Sequence, residues 1–424
     1  MSDLALFGGS RVRNKPFPAW PVFGEGEERA LVELVRSGEW WRYSMGEAVD
    51  SSAAAAGPRS KVGEFQELFA REQGARFGIG CATGTAALEV ALKALGIGPG
   101  DEVVVPPYSF VSTATAPMLI GAVPVFCDLQ PDTLNLDPQR FEEAITPRTK
   151  AVIPVHFAGL AADMQAILEI AGRHGIHVLE DAAHSHAGMW NHRGLGTIGA
   201  AGTFSFQASK NMTAGEGGLI TTEDPQLAEL CESYIWVGRK IGRPWYEHHR
   251  LGWNYRLTEF QGAILIEQLK RLKEQTARRL ENGLYLTKRL ADIPGVHPLR
   301  IPSYATRHSF HIYVFRLHAE EFGVTREDFL AALAAEGIPS SGGYAHPLYR
   351  NPLFLDPTLP IDCGRYPALC PNAEKACQEA VWLEHRLLLG DRADMDDIVD
   401  AVRKIHHNRR QFETASVTDS SRYC

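Results

Sequence analysis

The 424-residue sequence lacks the long apolar runs and basic blocks that are typical of membrane proteins and nucleic-acid-binding proteins. Nowhere do about 18 apolar residues follow one another, and the N-terminus has no apolar core of a secretion signal. The net charge is -8, from 43 basic and 51 acidic residues, and no Lys- or Arg-rich stretch stands out. We therefore expect a cytoplasmic protein that binds neither membranes nor nucleic acid.

Cysteine is also scarce, with seven residues in the whole chain. Cys363, Cys370 and Cys377 follow one another at a spacing that matches no usual zinc pattern, so we expect reduced thiols. Apolar residues make up 45% of the sequence and charged residues 22%, which is the balance of an ordinary folded protein. Disorder is excluded as the general state of the chain.

Apolar, strand-like segments alternate with helical patterns between about residues 75 and 225. This alternation predicts an α/β domain with a mostly parallel central sheet. EVVVPP and KAVIPV are continuously apolar, as expected for parallel strands that are buried on both faces. TAALEVALKAL and DMQAILEIAGRH have the spacing of the helices that connect such strands.

The remaining patterns predict how the chain divides. Apolar residues at helical spacing after Leu257 predict a long connecting helix, followed by a smaller α+β C-terminal domain. We expect an N-terminal arm (1–25), a large domain (26–275), a small domain (276–412) and a frayed tail (413–424). The stretch from Gly46 to Ser60, which contains SSAAAAGP, is expected to be a mobile loop.

Thr83, Gly84 and Thr85 lie where a strand turns into a helix, which is a common place for binding phosphate. Gly84 would allow a close approach of the backbone, and the threonine hydroxyls could donate to phosphate oxygens. A turn capped only for stability is the alternative. A dinucleotide fingerprint is excluded, because Thr83 stands where its third glycine is required.

Asp181 ends the strand HVLE, at the sheet edge where α/β proteins bind ligands. A carboxylate there could pair with a pyridinium nitrogen, although a helix cap or a structural ion pair would explain it equally. His184 and His186 follow. Their spacing differs from that of a zincin and no third ligand is visible, so we expect no metal.

Lys210 follows the strand TFSF and precedes a glycine-rich segment, NMTAGEGG. Desolvation there would lower the pKa of the lysine and make its amine nucleophilic, as imine formation requires. An ordinary exposed loop lysine is the alternative. Upstream, Tyr108 or Phe110 in PPYSF could stack on a flat ring, or either could simply fill the core.

Taken in order, these segments resemble the DegT/DnrJ/StrS sugar aminotransferase family of fold-type I enzymes that use pyridoxal 5'-phosphate (PLP). The resemblance covers nearly the whole chain, through ATGTAAL, VPPYSFVSTA, LEDAAHSHA, TFSFQASKNMTAGEGG and LGWNYRLTEFQGAIL. It implies the fold-type I architecture, with a mostly parallel sheet and a smaller α+β C-terminal domain. The implied reaction is transamination between an amino-acid donor and a cyclic ketone acceptor.

The resemblance also implies roles for individual residues. Lys210 would form the Schiff base with PLP and act as its proton shuttle, with Asp181 at the pyridine nitrogen and His184 beside the ring hydroxyl. Phe110 would stack on the ring. Gly84, Thr85, Ser205 and Asn254 would hold the phosphate, and Thr83 lies in the same turn as Gly84 and Thr85. Asn254 would reach in from a second subunit, which implies a homodimer with shared active sites.

Within the family, SGEWWR, HFAGLAADM and AGMWNHRG look most like the cyclitol (scyllo-inosose) aminotransferases and the 3-amino-5-hydroxybenzoate synthases. HPLYRNPLF, with His346 and Tyr349, favours the cyclitol and sugar enzymes, with glutamine or glutamate as donor and a role in aminoglycoside-like biosynthesis. Two alternatives stay open, dehydration with aromatisation of the ring and a non-catalytic regulatory member. Lys210 argues against a dehydratase, because dehydratases that resemble this family carry histidine at that position.

Overall fold

The structure, a computed structural model, describes residues 3–49, 59–359 and 361–413. Within these ranges, no helix is both long and apolar enough to cross a membrane. The helices are α1 Glu25–Ser37, α2 Lys61–Gln73, α3 Gly84–Ala94, α4 Ser112–Leu119, α5 Pro138–Ala144, α6 Met164–His174, α7 Pro225–Ile235, α8 Glu259–Leu290, α9 Ala319–Phe322, α10 Arg326–Ala335, α11 Tyr366–Leu369, α12 Pro371–Glu379 and α13 Arg392–His407. The strands are β1 Phe77–Cys81, β2 Glu102–Val105, β3 Val123–Phe126, β4 Thr149–Val152, β5 His177–Asp181, β6 Met189–Trp190, β7 Arg193–Gly194, β8 Ala201–Ser205, β9 Gly218–Thr222, β10 Val296–Pro298, β11 Ile312–Leu317 and β12 Ala380–Glu384.

Seven strands form the central sheet in the order β1-β9-β8-β5-β4-β2-β3. Neighbours from β8 to β3 are parallel, whereas β9 runs antiparallel to both β1 and β8. This confirms the predicted mostly parallel α/β sheet. Because β1, β2, β5 and β8 point the same way, the turns that follow them meet at one edge. The candidate residues of the large domain lie in those turns or at those strand ends, except Asn254, which lies between α7 and α8.

The small domain is built on the antiparallel sheet β10-β11-β12. Its core joins the apolar faces of β11, α10 and α13 to the last turns of α8, and it also buries Leu4 and Phe17 from the N-terminal arm. Arg13 fastens that arm, because its guanidinium contacts Asp394 at 2.8 Å with both side chains nearly buried. The arm therefore packs as part of the small domain.

Helix α8 connects the two cores. Thr258 and Gln261 form a capping box at its start, and the helix then runs for 32 residues without proline. Leu265 and Leu272 pack in the core of the large domain, whereas Leu286 and Leu290 pack in the core of the small domain. The long helix is confirmed; the proposed border near residue 275 falls inside it and stays a prediction.

Two other expectations meet the structure only in part. Residues 50–58 of the predicted mobile loop and 414–424 of the predicted frayed tail lie outside the described residues. The six described cysteines are free thiols.

Candidate active site

The turn after β1 places the backbone of α3 against the end of β8. Thr83 caps the helix, since its hydroxyl accepts a hydrogen bond from the Ala86 amide at 3.1 Å. A Cβ added at Gly84 would lie 2.7 Å from Cβ of Ser205, so only glycine fits there without displacement. The free amides of the first helical turn thus converge with the Ser205 hydroxyl, an arrangement suited to an anion.

Thr85 lies in the same turn, one residue further along α3. Its hydroxyl shares a 2.6 Å hydrogen bond with that of Ser112, at the start of α4. Two helix N-termini and two hydroxyls therefore face one region, and each hydroxyl can still donate or accept a further bond.

Asp181 ends β5 and is only 6% exposed. Its carboxylate accepts a hydrogen bond from the Thr113 hydroxyl at 2.9 Å and from the Ala183 amide at 3.2 Å. Burial raises the pKa of Asp181, and these hydrogen bonds oppose the rise. Within the described residues, Asp181 forms no ion pair and no helix begins after it before β6, so neither a structural salt bridge nor a helix cap accounts for its position.

Lys210 closes a turn in which its own amide donates to the Gln207 carbonyl at 2.9 Å. The residue is half-buried, and the surface that it exposes faces the cavities described below. Burial lowers the pKa of its amine from 10.5 to about 8, and attraction to Asp181 partly opposes this. The sequence alternative of an exposed, unperturbed loop lysine is therefore wrong.

His184 and His186 lie on one loop but face different surroundings. His184 is buried, its ring lies 4.3 Å from that of His311, and its Nδ1 has no hydrogen-bond partner within the described structure. Burial holds the pKa of His184 well below its ordinary value, so the ring is neutral. His186 instead packs among Phe69, Phe204 and Phe206 in the core of the large domain.

Tyr108 and Phe110 also lie in different surroundings, since the first is buried and the second is exposed. Tyr108 is 1% exposed and packs against Phe157 and Trp382, so it is core filler. Phe110 is 58% exposed because its ring borders two cavities. Of the two aromatic candidates, Phe110 is the one available to stack on a ligand.

The candidate residues line one cavity of about 610 Å³. Its walls include Thr83, Gly84, Thr85, Phe110, Asp181, His184, Ser205 and Lys210. A flat, phosphorylated ring fits this set, since the glycine cradle suits its phosphate and the unpartnered His184 Nδ1 suits a polar ring substituent. Asn254 is exposed and, as far as the described residues define this cavity, is not part of its wall. Its role across a dimer stays a prediction.

A second cavity of about 720 Å³ shares Phe110, His184, Ser209 and Lys210 with the first. The other walls come from the arm and the small domain: Ala19, Trp20, His311, Ile312, Pro339, Ser340, Ser341, Tyr344, Trp382, Glu384, His385 and Arg386. None of these residues was predicted from the sequence. The histidines at both ends of HSFH and the polar EHR after a strand are the signals that could have pointed to them.

His346 and Tyr349, which the sequence singled out in HPLYRNPLF, lie outside both cavities. Tyr349 is buried against Phe126 and Tyr366, with its hydroxyl donating to Glu374 at 2.9 Å, which is a structural role. Neither Tyr349 nor His346 is among the described residues that line the two cavities. The expectation that this site needs no metal stays a prediction.

Comparison with known proteins gives a consistent result. The model of the DegT/DnrJ/EryC1/StrS aminotransferase family matches residues 42–403. A protein of Streptoalloteichus tenebrarius with the provisional name L-glutamine:3-amino-2,3-dideoxy-scyllo-inosose aminotransferase is 40% identical, over 96% of this chain and 98% of its own. The L-glutamine:2-deoxy-scyllo-inosose aminotransferase of Streptomyces paromomycinus is 38% identical, over 95% of this chain and 97% of its own.

Among solved structures, the crystal structure of 3-amino-5-hydroxybenzoic acid synthase superposes with a TM-score of 0.83 at 36% identity. It covers 92% of this chain and 100% of the synthase chain. Sequence, fold and the paired cavities agree on one class of enzyme. The chain belongs to the DegT/DnrJ/EryC1/StrS aminotransferase family, and it is a PLP-dependent aminotransferase.

Proposed function

We propose that this enzyme transfers the amino group of L-glutamine or L-glutamate to the ketone of a cyclitol or keto-sugar in aminoglycoside-like antibiotic biosynthesis. The observation that carries the proposal is the position of Lys210 where the two cavities meet. One amine can then serve both the cofactor cavity and a substrate cavity whose walls carry hydroxyls and a carboxylate, groups that can bond the hydroxyls of a cyclitol. The names of the two inosose aminotransferases support the same acceptor class.

PLP, when bound, would supply an electron sink for the carbanion that forms at the donor carbon. Asp181 would keep the pyridine nitrogen protonated, and its burial among the Thr113 and Ala183 donors supports a fixed orientation. Gly84, Thr85 and Ser205, with the neighbouring Thr83, would hold the phosphate. His184 would meet the ring hydroxyl through its free Nδ1, and Phe110 would cover one ring face.

Lys210 would move the proton between the donor carbon and the cofactor carbon. A proton shuttle works best when its pKa lies near the working pH, because it must both accept and release the proton. Burial lowers the pKa of this amine to about 8, which meets that requirement. The flexible lysine stem allows one amine to reach both carbons.

We further propose that the enzyme works as a cytoplasmic homodimer in which Asn254 completes the phosphate site of the other subunit. The segment before Asn254 exposes Trp245, Tyr246 and Leu251 to solvent in the single chain, at 71%, 79% and 90%. Large apolar side chains at such exposure support a surface that another subunit covers.

Purified enzyme should be offered L-glutamine, L-glutamate and L-alanine with scyllo-inosose, 2-deoxy-scyllo-inosose and a nucleotide-linked keto-sugar. We expect an aminated cyclitol, detected by mass spectrometry, with an equal amount of the 2-oxo acid from glutamine or glutamate. Lys210→Arg, which keeps the charge but not the low pKa, is the matched control and should be inactive. Amination of the nucleotide-linked sugar alone would assign the acceptor to the keto-sugars, and amination of none of the three ketones would contradict the proposal.

The second candidate is an aromatising enzyme like 3-amino-5-hydroxybenzoate synthase, which the structural similarity to that enzyme favours. An aromatic product would absorb strongly in the near ultraviolet, whereas an aminocyclitol would not. The same reactions, followed by absorbance with an aminodehydroquinate-like ring as substrate, separate the two candidates.

A further inference from the structure

The turn that carries Lys210 is held from outside the large domain by two side chains. The indole N–H of Trp20, on the N-terminal arm, donates to the Ala208 carbonyl at 2.8 Å. His385, directly after β12, contacts the Ser209 carbonyl through Nε2 at 3.0 Å. Ala208 and Ser209 immediately precede Lys210 and are both exposed, so the turn has little packing of its own.

The hydrogen bonds around His385 determine its tautomer. A carbonyl only accepts, so Nε2 carries the proton that is donated to Ser209. On the other side, the Arg279 guanidinium lies 3.2 Å from Nδ1 and can only donate, so Nδ1 is unprotonated. Burial, with the positive charge of Arg279 next to it, holds the pKa of His385 well below its ordinary value, which agrees with a neutral ring.

Arg279 is an unusual residue in this position. It is fully buried in the middle of α8, and no carboxylate among the described residues lies within ion-pair distance of it. Its charge is met instead by the Trp20 ring, whose centroid is 5.4 Å from the guanidinium carbon. The Trp20 and His385 rings meet edge to face with their centroids 4.4 Å apart. A buried cation without a carboxylate partner costs stability, and within the described residues Arg279 donates instead to the Gln275 side chain at 3.4 Å and to His385 at 3.2 Å.

We infer that Trp20, Arg279 and His385 form a clamp that positions the amine of Lys210. The clamp joins the arm, helix α8 and the end of β12 to the two carbonyls before the lysine, so the small domain sets where the amine lies relative to Asp181. The three side chains act through the turn and are positioning residues. The inference rests on the proposed role of Lys210 as the cofactor lysine, and it is independent of the acceptor.

The clamp can be tested without any substrate, by titrating the visible absorbance of the cofactor–lysine bond with pH. Trp20→Phe keeps the ring and removes the N–H, and His385→Phe removes both hydrogen bonds of the imidazole. We expect both variants to move the titration midpoint. With L-glutamine alone, they should lower the rate constant of the half-reaction about tenfold to a hundredfold at saturation, with little change in half-saturating concentration, as a displaced reactive group does.

His385→Gln is the rescue variant, because a glutamine amide can donate to Ser209 and accept from Arg279. It should return the midpoint and the rate close to wild type. Trp40→Phe is the matched control: its indole N–H donates to the Val35 carbonyl at 3.4 Å, its ring packs against Phe260, and in the described structure it lines neither cavity. It should behave as wild type in both measurements.

A purely structural role would lower the melting temperature of Trp20→Phe and leave its midpoint and rate unchanged, and that result would overturn the inference. A rescue variant as impaired as His385→Phe would overturn it as well. Wild-type protein with no visible absorbance would refute the role of Lys210 itself. Failure to aminate a cyclitol alters none of these measurements, so the two proposals fail separately.

Discussion

Replacing Gly84 with alanine should weaken PLP binding more than adding a single methyl group at any other position in this turn. The new Cβ would lie 2.7 Å from Cβ of Ser205, a distance that packed carbon atoms do not adopt, and the Ser205 backbone is itself 3.3 Å away. Either the start of α3 or the end of β8 must therefore move. Relieving overpacking of this kind costs about 1–3 kcal/mol, which corresponds to about 5-fold to 150-fold in an equilibrium constant.

The loss should appear in cofactor affinity, because the displaced atoms are the proposed phosphate ligands. We would measure the dissociation constant of PLP from its absorbance change on titrating the apoenzyme. Gly98→Ala is the matched control, since a Cβ there meets nothing within 4 Å, and it should bind PLP like wild type. Adding Ser205→Gly to Gly84→Ala should remove the clash and bring affinity back to that of Ser205→Gly alone. Wild-type affinity in Gly84→Ala would refute the phosphate site at this turn.

Three further predictions follow from the same site. Asp181→Asn should keep the carboxylate's shape but not its charge, and we expect kcat to fall about a hundredfold or more with PLP still bound, whereas unchanged turnover would remove its role. The rate at which apoenzyme captures PLP should rise with pH and level off above about 8. The reason is that burial lowers the pKa of Lys210 to about 8 and only the neutral amine attacks. A midpoint near 10.5, the ordinary lysine value, would contradict this. Mixing inactive Lys210→Ala subunits with Asn254→Ala subunits should restore one intact site per mixed dimer. High-affinity PLP binding should therefore recover, and no recovery would mean that the sites are not shared.

The large domain was predictable because its chemistry lies next to strong local signals. The apolar runs in EVVVPP and KAVIPV required a sheet that is covered on both sides, and a parallel sheet gathers its carboxyl ends at one edge. Asp181 at the end of β5 and Gly84 at the start of α3 could therefore be expected to meet, although they lie far apart in sequence.

The substrate cavity was not predictable in the same way. Trp20, His311 and His385 reach the Lys210 turn only because α8 places the small domain and the arm over the large one, and no local pattern encodes that packing. Likewise, the sequence could not choose between Tyr108 and Phe110, because both follow the same strand and only the packing of Trp382 and Phe157 buries the first. Whether Asn254 serves a second subunit depends on an assembly that a single chain does not contain.

Borohydride reduction of the holoenzyme would identify the lysine that holds the cofactor. Reduction fixes the cofactor covalently to the lysine that holds it, and peptide mass spectrometry then identifies that residue. We expect one modified peptide, with the added mass on Lys210, and none in Lys210→Ala prepared in the same way. Modification of another lysine in wild-type protein, or an equally trapped cofactor in Lys210→Ala, would contradict it.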